Sequence, residues 1–522
     1  MARSTTKTPV LTPELRRTST VVVLGSIMSI LDTTIVAVAL ATLGKDFGVS
    51  VSTIQWVTTG YLLSLAVVIP VTGWAVDRFG AKLMWMLSLV LFIVGSSLCG
   101  LAWSANSLIT FRVIQGIGGG MLLPVGQSIL ARAAGPQRMG RVMSVIGVPM
   151  VMGPIMGPVI GGLIVSNYSW RFIFYINVPI GIVTLILSGR WLGDSEEKTR
   201  TSFDTLGFCL LSPGLASLVY ALSEVGVTGS YTSAPVLLGG ALGVVLMGGF
   251  IAHALRRANP LLDLHLFRNR NFAIANICIF VLGATLFGSM FLLPLYYQIA
   301  RGQSPWVAGL LMAPQGIGAA CIMRWSGSIT DRVGPRRVVP VGIVLMAVAT
   351  IPFAFVTTGT NELFLATALF ARGLGLGLSM MPITAAAYFD LSHAEIPRAS
   401  TTMNIVRQVG GSVAVAFFAV VLQRQIVDNL GPAARSGGGG LVLSATTKLP
   451  APVADKVAGA FSHTFLWSAF TILIAFVPTL FLPNHGAVTP AAPPAVRSPS
   501  GADPELDPGG GEGDLVTGVT AD

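Results

Sequence analysis

Between Ser19 and Leu482 the chain runs through about fourteen apolar blocks, each near the ~20 residues a helix needs to cross ~30 Å of hydrocarbon. Lipid offers no partners to backbone N–H and C=O groups, so blocks of this length must satisfy them internally, as helices. Only 10% of the 522 residues are charged, against roughly 25% in a soluble domain. The expected fold class is therefore all-α, a polytopic membrane protein, and a soluble globular enzyme does not fit. The formal net charge of +10 has a topological cause rather than pointing to nucleic acid. Cys99, Cys209, Cys278 and Cys321 each lie inside an apolar block at no metal-ligand or redox spacing. The five histidines show no metal-ligand spacing either, and no Ser/His/Asp or Cys/His set stands out. Nothing points to an enzyme, a cofactor or a metal.

Polar and Gly/Pro breaks place six spans near 19–42, 54–76, 83–103, 107–131, 141–165 and 171–192. Two more lie near 205–223 and 234–255, and a last six begin near 272, 306, 338, 361, 399 and 461. The domain reading is a cytoplasmic tail at 1–18, a six-helix bundle at 19–192, a linker with two extra helices at 193–271 and a second six-helix bundle at 272–482. An extracellular loop at about 424–460 interrupts that bundle, and a Pro/Gly-rich tail at 483–522 lacks the apolar content to fold. The first apolar block is too long for a signal-peptide core and carries Asp32, so it reads as a retained span. With both termini cytoplasmic, inside segments hold 21 Lys+Arg and outside segments seven, a bias that supports this orientation and an even span count.

An internal repeat divides the chain. Gly73-Trp-Ala-Val-Asp77-Arg78-Phe-Gly80-Ala81-Lys82 returns as Gly327-Ser-Ile-Thr-Asp331-Arg332-Val-Gly334-Pro335-Arg336, displaced by 254 residues. Parallel repeats of this kind build transporters whose halves rock about a central site.

Asp32 is the only acid deep inside any span, where a charge costs roughly 2.5 to 3.5 kcal/mol on insertion scales. A carboxyl withdrawn from water is a candidate proton exchanger. The alternative is a permanently ionised Asp32 bridged to Arg112 or Arg407, tying two spans together. Arg112, Gln115, Gly116 and Gly119 share one face of the fourth span, and Asn404, Arg407, Gln408 and Gly411 repeat that spacing in the thirteenth. These polar side chains either line a cavity or bond between helices. In the fifth span, Gly153, Gly157 and Gly161 form a groove at four-residue spacing beside Pro154 and Pro158, which marks a kinkable, tightly packed helix. Tyr61, Tyr297 and Gln298 are further candidates for a substrate cavity, with interfacial anchoring as the alternative. Gly116-Ile-Gly118-Gly119-Gly120 lies in an apolar helix without the lysine of a phosphate loop, so nucleotide binding is rejected.

At these residues the sequence resembles the drug:proton antiporters of the major facilitator superfamily, of the 14-span EmrB/QacA type, over about residues 19 to 482. The matching segments are Leu31-Asp32-Thr-Thr-Ile-Val-Ala-Val-Ala-Leu, Gly73 to Lys82, Arg112-Val-Ile-Gln115-Gly116, Gly147 to Gly162, and Trp170 to Gly181. The resemblance implies two six-helix bundles plus two inserted helices, fourteen in all. It also implies Asp32 as the coupling carboxylate, Asp77 and Arg78 as a cytoplasmic latch, Arg112 in proton coupling and the fifth-span run in conformational change. Expected partners are small lipophilic substrates, protons and the bilayer, in a monomer of the inner (plasma) membrane that can work with accessory export proteins. Export of one endogenous lipid, antibiotic or metabolite, proton-coupled import, or a non-transporting sensor remain the alternatives. Two positions depart from the pattern: Ala41 stands where proline is frequent, and Ala81 where a basic residue is usual. With no acid deep in spans nine to fourteen, neutral lipophilic or monocationic substrates are favoured. A dicationic compound is accordingly expected to show no protein-dependent flux in proteoliposomes, and robust dication transport would refute that preference.

Overall fold

A computed structural model describes residues 12–49, 51–134, 153, 156–157, 159–193, 202–228, 231–257, 260–392, 394–430 and 450–484. All regular structure among them is helical. The first half comprises α1 (Pro13–Phe47), α2 (Val51–Val68), α3 (Val71–Phe79), α4 (Ala81–Gly100), α5 (Ala105–Ala134), α6 (159–167), the single turn α7 (Phe172–Tyr175) and α8 (Asn177–Trp191). An inserted pair follows, α9 (Thr205–Thr228) and α10 (Ala234–Ala254). The second half comprises α11 (Arg270–Leu295), α12 (Pro305–Val333), α13 (Pro335–Thr350), α14 (Glu362–Ala387), α15 (Ile396–Leu430), α16 (Ala451–Ile474) and the turn α17 (Phe476–Thr479).

Twelve helical stretches are long and apolar enough to cross a membrane, and α2 with α3 makes a thirteenth, bent by 54°. The bend falls at Pro70, which lacks the N–H that would continue the α2 ladder. The expected fifth span lies largely outside the described residues, so the count of fourteen is left open. Helix limits differ from the sequence reading at two places. Thr12 caps α1 through its side-chain oxygen, with Pro13 at the first helical position, so helix already runs through 13–18. Helix also replaces loop at 424–430 and 451–460.

Each half is organised around its fourth helix. α5 packs on α1, α2 and α4, and α14 packs on α11, α12 and α13. Glycines set these distances: a Cβ on Gly116 would sit 2.9 Å from the Tyr61 carbonyl oxygen on α2, and one on Gly373 2.8 Å from the Gln315 carbonyl carbon on α12. The sequence repeat is repeated in backbone conformation. Gly80 has φ 92° and ψ 147°, Gly334 has φ 84° and ψ 153°, and each N–H closes the preceding helix at 2.9 Å, to the carbonyls of Val76 and Thr330. A side chain at either position would be strained, which is why the turn needs glycine twice.

The fifth-span glycines face α1. A Cβ on Gly153 would lie 3.1 Å from Ile30 Cβ, one on Gly157 2.5 Å from Thr34 Cβ, and one on Gly161 3.1 Å from the Ile35 carbonyl oxygen. Thr34 Oγ1 donates to the Gly153 carbonyl at 3.3 Å. Pro154 and Pro158 lie outside the described residues.

The inserted pair rests on both halves. Ser212 of α9 donates to the Val67 carbonyl of α2 at 2.8 Å, and Leu211, Leu215 and Val219 share a core with Leu63 and Trp74 on one side and Ile405 and Val409 on the other. Just before α9, buried Asp204 accepts from Gly207 N at 3.0 Å and Leu261 N at 3.1 Å and pairs with His253 at 2.9 Å. Burial alone would push this carboxyl up, but those hydrogen bonds outweigh it and hold it below the usual range. α10 turns most of its surface outward, exposing Leu237, Leu238, Leu242, Val244 and Val245, as a lipid-facing helix does.

The close approach at Gly157 predicts that Gly157→Ala costs about 1–3 kcal/mol through overpacking against Thr34. Gly248 has open space where its Cβ would be, so Gly248→Ala in the interior of α10 should be neutral or stabilising, by up to about 1 kcal/mol. Thermal melting of the two detergent-solubilised variants checks the contrast.

Candidate functional site

Asp32 sits in the middle of α1 with no exposed surface. Its carboxylate collects donors from two other helices. Arg112 Nη1 of α5 donates to Oδ2 at 2.5 Å, while Gln115 Nε2, one turn further along α5, donates to Oδ1 at 2.8 Å. Asn177 Nδ2, at the start of α8, also donates to Oδ1, at 3.0 Å. Gln115 closes the ring by accepting from Arg112 Nη1 at 2.8 Å. Asn177 continues the network to Ser96 Oγ of α4 at 3.1 Å, and Ser96 donates to the Phe174 carbonyl at 2.9 Å.

The guanidinium is as enclosed as the acid. Arg112 Nε donates to the Val57 carbonyl of α2 at 3.2 Å, and the Arg112 Cζ stands 4.0 Å from the centre of the Tyr61 ring. Its Nη2 has no hydrogen-bond partner among the described residues and relies on that π-face for charge stabilisation. Five helices thus converge on one ion pair. Of the two bridges open to Asp32 on sequence grounds, the one to Arg112 is present.

The other sequence candidates fall into separate places. Tyr61 and Gln115 are buried and belong to the Arg112 network. Tyr297 is buried in a π-helical turn, Tyr296–Ala300, within an apolar core that includes Phe461 and Phe465, and Gln298 is half-buried in the same turn. Arg407 lines a narrow cleft with Leu286, Leu376, Met380, Thr384 and Met403. Asn404, three residues away, donates instead to Gln127 Oε1 of α5 at 2.7 Å, a bond between the halves.

That bond belongs to a larger seam at the Asp77 end of the bundle. Ser400 of α15 donates to the Pro124 carbonyl at 3.0 Å and to Gln127 at 3.1 Å. Asp77 pairs with Arg398 of α15 at 3.4 Å and with Arg132 of α5 at 3.7 Å. Gly73 lets α3 approach: its Cβ would be 3.4 Å from Arg398 Cα. Arg78 is exposed and joins no ion pair among the described residues; its repeat counterpart Arg332 is exposed as well, and Asp331 is half-buried. At the opposite end, Gly162 after α6's first turn lies against Trp306 of α12.

Sequence reading did not single out Asn177, Ser96, Gln127 or Ser400 as site residues. An uncharged amide or hydroxyl in an apolar span is the available signal, and it is weak because most such groups bond to their own helix, as Thr33 does to the Ser29 carbonyl.

Truncating either partner of the buried pair leaves the other charge uncompensated, a loss of about 3–5 kcal/mol. Arg112→Gln and Asp32→Asn should therefore each destabilise more than the double variant implies by addition, with a coupling of about 0.5–3 kcal/mol. A double-mutant cycle of melting temperatures reads it, and strict additivity would contradict the pair.

The Major Facilitator Superfamily model matches residues 22–415. The chain is 40% identical over 496 residues to a multidrug resistance protein B homolog of Mycobacterium tuberculosis, covering 92% of each. It is 33% identical over 392 residues to the multidrug export protein EmrB of Escherichia coli, covering 75% of this chain and 77% of that one. Among solved structures it superposes on the human organic anion transporter MFSD10 with a TM-score of 0.56 at 16% identity, covering 88% and 99%, and on the proton:xylose symporter XylE with 0.55 at 12%, covering 90% and 97%. Fold, repeat and sequence agree: the chain belongs to the major facilitator superfamily.

Proposed function

We propose that this protein is a proton-driven efflux transporter that exports lipophilic, neutral or monocationic small molecules by alternating access, and that it performs no enzymatic reaction. The observation that carries the reading is the fully buried Asp32 carboxylate, held by donors from α5 and α8 and mounted on the helix that the fifth-span glycines grip. A proton arriving on Asp32 removes the negative charge that fixes Arg112, Gln115 and Asn177. α1 is then free to shift against α5 and α8, and the two halves re-pack. The relatives' names, multidrug resistance protein B homolog and multidrug export protein, support export as the direction.

In this cycle protonation from outside releases substrate and permits inward reopening, and deprotonation to the cytoplasm restores the substrate-binding form. Asp77 with Arg132 and Arg398 closes the cytoplasmic end, in the orientation with both termini on the cytoplasmic side of the cell membrane. Met380 and Met403 line the narrow cleft beside Arg407, and their thioethers can adapt to irregular apolar shapes once the halves part. One inward proton at ~100 mV and one pH unit supplies about 3.7 kcal/mol, enough for a roughly 500-fold gradient of a neutral substrate.

Fluorescent-dye flux in proteoliposomes under an imposed pH gradient tests the reading. Wild-type protein is expected to move dye against its gradient, and Asp32→Asn at matched incorporation to lose that drive. Equal coupling in the variant would place the proton site elsewhere, and no movement of any dye would favour a narrow substrate or a sensor.

A further inference from the structure

The second half contains a copy of the Asp32 site from which the acid is missing. Arg372 is 4% exposed in α14, the fourth helix of its half, as Arg112 is in α5. Its Nε donates to Thr350 Oγ1 at the end of α13 at 3.0 Å, its Nη1 to Gln315 Oε1 of α12 at 2.8 Å, and its Nη2 to Ser289 Oγ of α11. All three partners are themselves buried and neutral.

Helix by helix the two clusters correspond. The first helix supplies Asp32 in one half and Ser289 in the other; the second supplies the Val57 carbonyl and Gln315. The third supplies Ser96, reached through Asn177, and Thr350. The displacement from Asp32 to Ser289 is 257 residues, as is that from Gly116 to Gly373, close to the 254 of the loop repeat. This register puts Arg372 at the place of Gln115, which stands one turn beyond Arg112 and whose amide also donates to Asp32. Both fourth helices lean on the second helix through a glycine next to the cluster, Gly116 and Gly373. What differs is the charge. An arginine buried in a span ordinarily faces an acid, because an uncompensated charge there is costly. Here a hydroxyl occupies the acid's place.

We infer that the Ser289–Arg372 cluster is a second coupling site lacking its proton carrier, so that each transport cycle exchanges one proton, through Asp32 alone. This rests on the proton-antiport reading above. A serine hydroxyl and an arginine both keep their protons across the physiological range, so nothing in the cluster changes charge when the halves rock. Arg372 is a positioning residue: it ties α11, α12, α13 and α14 into one block against which the first half moves.

The test uses the full-length protein in proteoliposomes with the membrane voltage clamped at zero by equal potassium and valinomycin. Ethidium, a permanent monocation, is allowed to reach its steady distribution at several imposed pH differences. One proton per cycle gives an ethidium ratio that changes about tenfold per pH unit, and two protons give about a hundredfold. A hundredfold slope overturns the inference. No pH-driven accumulation by wild type overturns the antiport reading instead, which separates the two failures. Arg372→Gln should keep the tenfold slope even if the rate falls; a slope reduced to none would put Arg372 in the proton path and overturn its positioning role. Ser289→Asp, which restores the carboxylate, should steepen the slope beyond tenfold. An unchanged slope in protein that elutes as a single folded species would overturn the assignment of Ser289 to the missing acid's place.

Discussion

A carboxylate and a guanidinium shut away from water inside one helical bundle set the terms for most of the first half. Either charge left alone in such a place is costly, so Asp32 and Arg112 meet, and the polar groups nearby serve one or the other. Gln115 and Asn177 complete the carboxylate, the Val57 carbonyl takes Arg112 Nε, and Tyr61 offers its ring to the rest of the cation. Because those groups come from α1, α2, α5 and α8, with Ser96 of α4 behind them, satisfying one ion pair fixes the relative placement of five helices. The same dependence makes the site responsive. In the proposed cycle a single proton on Asp32 removes the reason for the arrangement, and the helices it orders take up another packing.

Those alternatives are supplied by glycine. Lipid gives helices no hydrophobic reason to associate, so close van der Waals contact and backbone polar bonds decide which surfaces meet. Gly95 against Gln115, Gly116 against Tyr61 and Gly157 against Thr34 bring backbones to distances a side chain would forbid. Contacts of small groups are smooth, without interlocking side chains to disengage, and the fifth-span glycines 153, 157 and 161 meet α1 through such a surface beside Asp32. In the proposed cycle that adjacency is the route from the charge state of α1 to the position of its neighbour.

The two halves share a plan but differ in electrostatics. The turns at Gly80 and Gly334 are the same in backbone angles, and Arg372 stands on the fourth helix of its half where Gln115 stands, one turn from Arg112. Among the described residues Arg112 meets an acid and Arg372 meets neutral partners. The seam between the halves is correspondingly asymmetric at the Asp77 end, where the first half contributes Asp77 and Gln127 and the second answers with Arg398, Ser400 and Asn404.

Sequence alone determined the helical membrane class, the division into repeats and the identity of the central acid, because each depends on local properties: apolar length, a conserved spacing within one chain and a charge where lipid forbids it. The Asp32 bridge could not be settled at that level. Arg112 and Arg407 were equal candidates, since helical periodicity gives the face of a residue but not the helix opposite; packing put Arg112 at 2.5 Å and left Arg407 on a cleft in the other half. Tyr61, Gln115 and Asn404 were legible as polar or amphipathic residues in apolar surroundings, yet whether such a group lines a cavity or bonds to a neighbour is decided by distances of a few ångströms across helices. The acid-free cluster at Arg372 was hidden for the same reason. Ser289, Gln315 and Thr350 are unremarkable along the chain, and they become a site only when four helices, set by glycine contacts, bring them around one buried charge.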